Sequence, residues 1–262
     1  MKKTEKNDLA RKITRWDLFK VFIASFFMQA VWNFRSLISI GFSICFIPII
    51  GKLCDSPQAK REFFQRHLKF FNAHPYFASF ALGVSIRLEE MRVLGETENL
   101  EMIDRLKDLL ISPLGAVGDR LFWATIKPAV LVLGALGIFV APSIFAKVLM
   151  LIFCFFLYNI PHFYYRYEGI VEGYDHPLNI HEFIRQERFE HLRKFFVSIL
   201  IVSLFVLVAV YSYYSLQLGW EYLFVFIMAT IITIVFNRFS NNFYLVMLGV
   251  FFAFLLAALI IY

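Results

Sequence analysis

Cysteine is scarce. Cys45, Cys54 and Cys154, three in 262 residues, are too few and too scattered for a disulfide framework, and two of them lie within apolar runs, where cysteine serves as a small buried hydrophobe. Charge thins out even more towards the C-terminus: from Phe195 to Tyr262 only Glu221 and Arg238 carry one. A soluble fold needs a polar face, and this stretch has none to offer. Catalytic signatures are missing as well. There is no Walker loop or nucleophile elbow, and His181-Glu182 does not begin a zinc-binding His-Glu-x-x-His helix because position 185 is Arg185. An intramembrane aspartyl protease would need Gly-x-Gly-Asp, but position 116 is Ala116, and Tyr174-Asp175 falls later, in a charged stretch. The histidines, His67, His74, His162, His176, His181 and His191, show no metal-ligand spacing and read mostly as interfacial or loop residues. Neither a metal site nor a cofactor site is expected, and no catalytic residue.

Apolar side chains are abundant. They make up 60% of the chain, with 33 Phe and a mean hydropathy of +0.66, against about 45–50% in soluble domains. The composition is that of an all-α, multi-pass membrane protein. The net charge of +6 does not point to nucleic acid, because the basic residues gather beside apolar segments rather than on a soluble module. Anionic lipid headgroups and the positive-inside rule account for them. Lys2, Lys3, Lys6, Arg11, Lys12 and Arg15 precede the first apolar run, which predicts a cytoplasmic N-terminus. Asp17 and Lys20 interrupt the join and no small-residue cleavage site follows, so this segment is expected to be retained.

Crossing a ~30 Å hydrocarbon core takes about 20 apolar residues in a helix. Early segments fall short of that. Val21–Phe34 and Ser36–Gly51 are separated by Arg35 and contain Gln29 and Asn33, and Phe70–Ile86 carries Asn72, His74 and Pro75 near its start. Residues 1–127 therefore read as broken or re-entrant helices. Residues 128–262 read as regular transmembrane helices: Pro128–Ala146, Val148–Tyr165 with Pro161 ending or kinking it, a polar excursion over 166–194, then Phe195–Trp220, Tyr222–Asn237 and Phe239–Tyr262. The whole chain is expected to form a single membrane domain.

The segment Leu109–Ile126, LLISPLGAVGDRLFWATI, stands out. Freed backbone polar groups at membrane depth survive only where protein covers them or a watery cavity meets them. An Asp at mid-bilayer costs roughly 2.5–3.5 kcal/mol on insertion scales, so Asp119 needs water or a partner, and Arg120 is the nearest. The expectation is a re-entrant, pathway-lining segment shaped by Pro113, Gly115 and Gly118. Discontinuous helices of this kind build transporter sites near the midplane. The competing reading is that Pro and Gly here permit tight helix packing.

Two further motifs carry polar chemistry. In Phe71-Asn72-Ala73-His74-Pro75-Tyr76, Asn72 and His74 set hydrogen-bonding groups among aromatic rings, which suits sugar hydroxyls over apolar ring faces. The same residues also suit a helix start with Asn72 as cap and Pro75 in the first turn. The adjacent Glu89-Glu90 diverge by about 100° on a helix and so make a poor acid/base pair. They suit a clamp on loop N–H groups or a partner chain, or a solvated helix end.

These residues resemble the IID membrane subunit of mannose/fructose/sorbose-type phosphotransferase-system (PTS) sugar permeases. Trp32-Asn33-Phe34, Gly41-Phe42 and Pro48 resemble its opening segment. His67 to Tyr76 resembles its Asn-Thr-His-Pro motif, and Gly83 with Glu89-Glu90 its Met-Glu-Glu. Pro113 to Trp123 resembles Pro-Leu-Ala-Gly-Val-Gly-Asp-Ser-Leu-Phe-Trp, and Tyr158-Asn159, Arg166 and Gly173-Tyr174 match a weaker pattern. The chain departs from the family at Arg35-Ser36-Leu37-Ile38, at Ser112, at the inverted Gly115-Ala116 and at Arg120. The resemblance implies a subunit of the bacterial cytoplasmic membrane that pairs with a IIC subunit, in a higher-order hetero-oligomer, to form a sugar path. It implies cytoplasmic IIA and IIB partners that carry the phosphoryl group, and no phosphoryl-accepting site on this chain. Asn72, His74, Glu89, Glu90 and Asp119 are the expected path or gate residues. The alternative, motivated by the departures at Arg35–Ile38 and at Arg120, where a guanidinium would neutralise Asp119 or partly fill the path, is a divergent scaffold or regulatory subunit that binds a IIC-type partner without transporting.

Overall fold

The computed structural model describes residues 12–96 and 100–239. The chain divides into two compact units, Met1–Leu200 and Ile201–Tyr262. Among the described residues every regular element is helical, as the composition requires.

The first unit begins with α1 (Arg15–Ser25), started by a capping box in which Thr14 Oγ1 accepts the Asp17 N–H at 3.2 Å and the Asp17 carboxylate accepts the Thr14 N–H at 2.9 Å. Short helices follow: α2 (Ser39–Ile44), a 3₁₀ turn (Ile47–Ile49), α3 (Ile50–Leu53) and α4 (Pro57–His67). Between α1 and α2 the chain turns on Asn33, whose Oδ1 accepts from the N–H groups of Arg35 and Ser36 at 3.0 and 2.9 Å. The stretch Arg35–Ile38 is therefore a side-chain-held turn. It carries Leu37 at φ 54°, and the Ile38 N–H donates to the Phe71 carbonyl.

Helix α5 (Ala78–Val93) is the centre of this unit: every residue from Ala78 to Ile86 is buried, as are Leu88, Glu89 and Glu90. It packs on α8 (Ile144–Asp175), and the approach is closest where both helices lack side chains. A Cβ added at Gly83 would meet the Ile170 carbonyl oxygen at 2.2 Å, and one at Gly173 the Phe80 carbonyl oxygen at 2.3 Å. Small residues let membrane helices approach backbone to backbone.

Among the described residues, three helical stretches are long and apolar enough to cross a membrane: Glu101–Val140, Ile144–Asp175 and Ile180–Leu218. Their outward side chains are large and apolar, as at Ile144 (81% exposed) and Phe145 (72%), which is what a surface bathed in lipid tails calls for. The chain is an all-α membrane protein with broken helices in its first half.

Three expectations change. Leu109–Ile126 does not turn back: α6 (Leu100–Gly118), a π-helix (Asp119–Ile126) and α7 (Lys127–Val140) follow one another without a break. The backbone satisfies its polar groups by widening the turn rather than by reversing, and Thr125 Oγ1 donates to the Arg120 carbonyl at 2.8 Å inside the widened turn. Of the two roles open to Pro161, ending α8 is excluded, since the helix continues to Asp175 with Pro161 inside it. Finally, the polar excursion over 166–194 is mostly the ends of two long helices, α8 and α10 (Gln186–Leu218), joined through the short α9 (Ile180–Phe183).

In the second unit, α10 ends at Leu218, Gly219 sits at φ 145°, and α11 (Trp220–Phe239) begins. A left-side φ of this kind costs glycine nothing and most other residues a great deal. The expected element Phe239–Tyr262 lies, beyond Phe239, outside the described residues.

Candidate functional site

The π-helix and the segment before α5 meet. His74, 2% exposed, lays its ring on Phe122 (centroids 5.5 Å apart, planes at 21°) and lies 5.0 Å from the Trp123 ring. A Cβ at Gly118 would meet His74 Cβ at 2.3 Å, so Gly118 is the notch that admits the imidazole. Its Nδ1 accepts the Tyr76 N–H at 3.3 Å, which leaves the proton on Nε2, and among the described residues Nε2 has no hydrogen-bond partner. Burial, then the positive charge of Arg166, pushes the His74 pKa well below its ordinary value and keeps the ring neutral.

Tyr76 continues the cluster. Its ring stacks on His162 at 3.7 Å, and its hydroxyl shares a hydrogen bond of 2.9 Å with Tyr158. Arg166 Nε donates to His162 Nε2 at 3.0 Å, and Nη1 donates to the Ser25 carbonyl that ends α1. The guanidinium also lies 5.0 Å from the Phe26 ring and 5.2 Å from that of Tyr76. Arg166 is 3% exposed, and among the described residues no carboxylate pairs with it. Two aromatic faces and the negative end of a helix stand in for a counter-ion. Tyr158, His162 and Arg166 recur every fourth residue of α8, one stripe on one helix face. That spacing was the signal available in the sequence, and reading the histidines one at a time missed it. His67, His74 and His162 are buried, not interfacial, because each ring packs among other aromatic rings.

Asp119, one residue beyond Gly118, is exposed, and nothing in the described chain hydrogen-bonds or pairs with its carboxylate. The expected pairing with Arg120 does not form. Successive helical side chains diverge, and Arg120 Nη1 donates to Gln186 Oε1 instead. The result is a carboxylate without a partner among the described residues, on a membrane-spanning π-helix and one residue beyond the glycine that seats His74.

The other expected residues fall elsewhere. Asn72 is exposed and does not cap a helix: α5 starts at Ala78, whose N–H donates to the His74 carbonyl at 2.8 Å. Glu89 and Glu90 hold the fold together. Glu89 is 0% exposed and accepts from Arg66, His67 and Arg92. Glu90 is 1% exposed and accepts from the Ile13 N–H, Arg87 and the Tyr174 hydroxyl. Both have the clamping geometry, with their acceptor sites taken up by the chain itself. Among the described residues no three His, Cys, Asp or Glu side chains stand close enough to hold a metal ion.

Pro113, Gly115 and Gly118 shape no loop, since all three lie in α6. Their roles separate cleanly. A Cβ at Gly115 meets nothing within 4 Å, so Gly115→Ala is expected to be neutral or to stabilise by about 0.5–1 kcal/mol through backbone entropy. Gly118→Ala pushes on His74 and is expected to cost roughly 1–3 kcal/mol. Thermal unfolding of the two variants checks this. Equal midpoints would remove the notch from the account.

Known proteins share the sequence pattern and the fold of this chain. Residues 12–261 match the PTS system mannose/fructose/sorbose family IID component. The chain is 34% identical over 178 residues to the PTS system mannose-specific EIID component of Escherichia coli strain K12, covering 68% of this chain and 61% of that protein. It is 30% identical over 202 residues to the fructose permease IID component of Bacillus subtilis strain 168, covering 77% of this chain and 70% of that protein. The cryo-EM structure of the mannose transporter ManYZ with microcin E492 superposes with a TM-score of 0.58 at 33% identity, covering 76% of this chain and 70% of that one. The match thus spans about three fifths of the length of the Escherichia coli relative. With the motif residues around His74 and Asp119 inside the matched region, the chain belongs to the mannose/fructose/sorbose family of PTS IID components.

Proposed function

We propose that this chain, acting as one IID-type unit, forms with a IIC subunit the path for a hexose-type sugar that a separate IIB protein phosphorylates during uptake. A IIA protein supplies the phosphoryl group to IIB, and the membrane subunits work as a higher-order hetero-oligomer. Its place is the bacterial cytoplasmic membrane, with the basic N-terminus on the cytoplasmic side. Family membership supports this reading. So do the names of its relatives, which describe a mannose-specific component and a fructose permease component.

One observation carries it: Asp119 stands exposed, and without a partner among the described residues, at the start of the π-turn that seats His74 on a membrane-spanning helix. A carboxylate at that depth is retained where it meets water, a polar ligand or a partner subunit, and π-turns recur at functional sites. Asn72, exposed on the same motif as His74, supplies a further hydrogen-bonding group. Glu89 and Glu90 then act on the path by holding α5, α4 and the N-terminal segment in place. The scaffold alternative rests on the departures at Arg35–Ile38 and at Arg120, whose guanidinium would neutralise Asp119 or partly fill the path. That guanidinium is engaged by Gln186, which speaks against neutralisation of Asp119.

Uptake and phosphorylation of sugar in cells that co-express the partner subunits test the assignment. Asp119→Asn keeps the shape and removes the charge, and it is expected to lower uptake by about tenfold, the equivalent of ~1.4 kcal/mol in the rate-limiting barrier. His74→Ala is expected to do the same. Unchanged uptake and phosphorylation in both variants would exclude them from the path, and a stable complex that neither binds nor imports sugar would favour the scaffold.

A further inference from the structure

Helices α7 and α8 form a hairpin that is tight near its tip and opens away from it into a furrow of about 590 Å³. Its walls are apolar, with Leu131, Ile138, Leu151 and Phe155 lining it. Leu131 and Phe155 are 62% and 58% exposed, so the furrow opens on the surface that faces lipid. Its far end is polar: Lys127, Tyr158 and Asn159 close it. Lys127 is exposed, and no hydrogen bond or ion pair holds its ammonium in the described chain. Asn159 donates one side-chain N–H to the Phe155 carbonyl at 2.8 Å, which leaves its second N–H and its amide oxygen free.

We infer that this furrow is a binding site for an anionic phospholipid, with an acyl chain laid between α7 and α8 and the headgroup phosphate on Lys127 and Asn159. The volume lies in the range of pockets that enclose one flexible ligand. An unpaired cation in a membrane-spanning helix needs an anion or water. Basic pockets between transmembrane helices take up phosphate-bearing headgroups. A neutral apolar groove would be filled by any tail, whereas the charge at one end selects both the lipid and its direction. Lipid is also the one partner certain to surround a hairpin of this hydropathy.

The protein, extracted from its native membrane together with the subunits that accompany it, is delipidated and offered phosphatidylglycerol, cardiolipin or phosphatidylcholine, and the lipid retained is read by native mass spectrometry. The anionic lipids are expected to be retained in preference to phosphatidylcholine. Lys127→Gln is expected to lower their retention about fivefold, the ratio given by ~1 kcal/mol per basic residue near an anionic headgroup. Lys127→Arg should keep it, and Ala135→Leu, on the exposed wall, should lower it by filling the furrow. Equal retention of phosphatidylcholine, or a Lys127→Gln protein that holds as much anionic lipid as its parent, would overturn the site. So would a photocrosslinker at position 135 that captures a partner subunit instead of lipid.

Discussion

Gly83→Val is expected to cost about 3 kcal/mol or more, the upper end for overpacking a close-packed interior, and to lower the unfolding midpoint by roughly 6–12 °C at this chain length. The reason is geometric. The first new carbon would fall 2.2 Å from the Ile170 carbonyl oxygen and 2.8 Å from the Tyr174 nitrogen, and backbone atoms have no rotamer by which to move aside. Gly173→Val meets the same wall from the other helix, at 2.3 Å from the Phe80 carbonyl oxygen. Relief requires α5 and α8 to separate. Because α8 carries Tyr158, His162 and Arg166 while Tyr76 stands just before α5, the Tyr76–His162 stack opens with them. Sugar uptake should therefore fall along with stability. Gly51→Ala, where a Cβ meets nothing within 4 Å, serves as the control. A Gly83→Val protein that unfolds at the parental temperature would mean that the two helices do not pack this way.

Glu89→Gln is expected to be at least as damaging, by about 3–5 kcal/mol, because breaking a buried ion pair strands the remaining charges. Burial works against the Glu89 carboxylate. Hydrogen bonds from His67, Arg66 and Arg92 more than offset it and hold its pKa at about 2, against an ordinary 4.5. His67 is itself so deeply buried that its pKa is pushed down. It therefore donates Nε2–H as a neutral ring, and the charge that favours the carboxylate comes from the two guanidinium groups. The sign follows from linkage. A depressed folded-state pKa gives stability that is fully present above 4.5 and lost as pH falls through about 2, because the unfolded chain takes up the proton first. Unfolding midpoints measured from pH 6 down to about 2.5 should therefore decline more in the parent than in Glu89→Gln, whose side chain does not titrate. Parallel pH profiles would show that Glu89 is not the group responsible.

These two predictions sit at different levels of legibility. Glu89 and Glu90 are visible in the sequence as adjacent carboxylates at the end of an apolar segment, and a clamp is one of the roles their helical divergence suits. Which donors they clamp is not visible, because Arg66 and Ile13 lie 23 and 77 residues away in the chain. Gly83 is visible as part of a motif, but nothing local says that it faces Gly173. Asp119 illustrates the opposite error. Local reasoning offered Arg120 because it is adjacent, whereas the helix turns adjacent side chains apart and Gln186, 66 residues on, takes the guanidinium.

Composition and patterning by themselves determined that this chain lives in a membrane, that it is helical, that its first half is broken, and which short motifs mark its family. Those properties follow from how many apolar residues lie in a row and where prolines, glycines and charges interrupt them, and such quantities are local along the chain. Tertiary structure decided the rest. It made the interrupted Leu109–Ile126 stretch a continuous helix with a π segment at Asp119–Ile126 instead of a turn, set His74 into the notch at Gly118, buried Arg166 between two aromatic rings, and left Asp119 and Lys127 without partners among the described residues. Each of those outcomes depends on contacts between segments remote in the chain, such as the approach of Gly118 to His74 that leaves no room for a Cβ, and no local pattern encodes them.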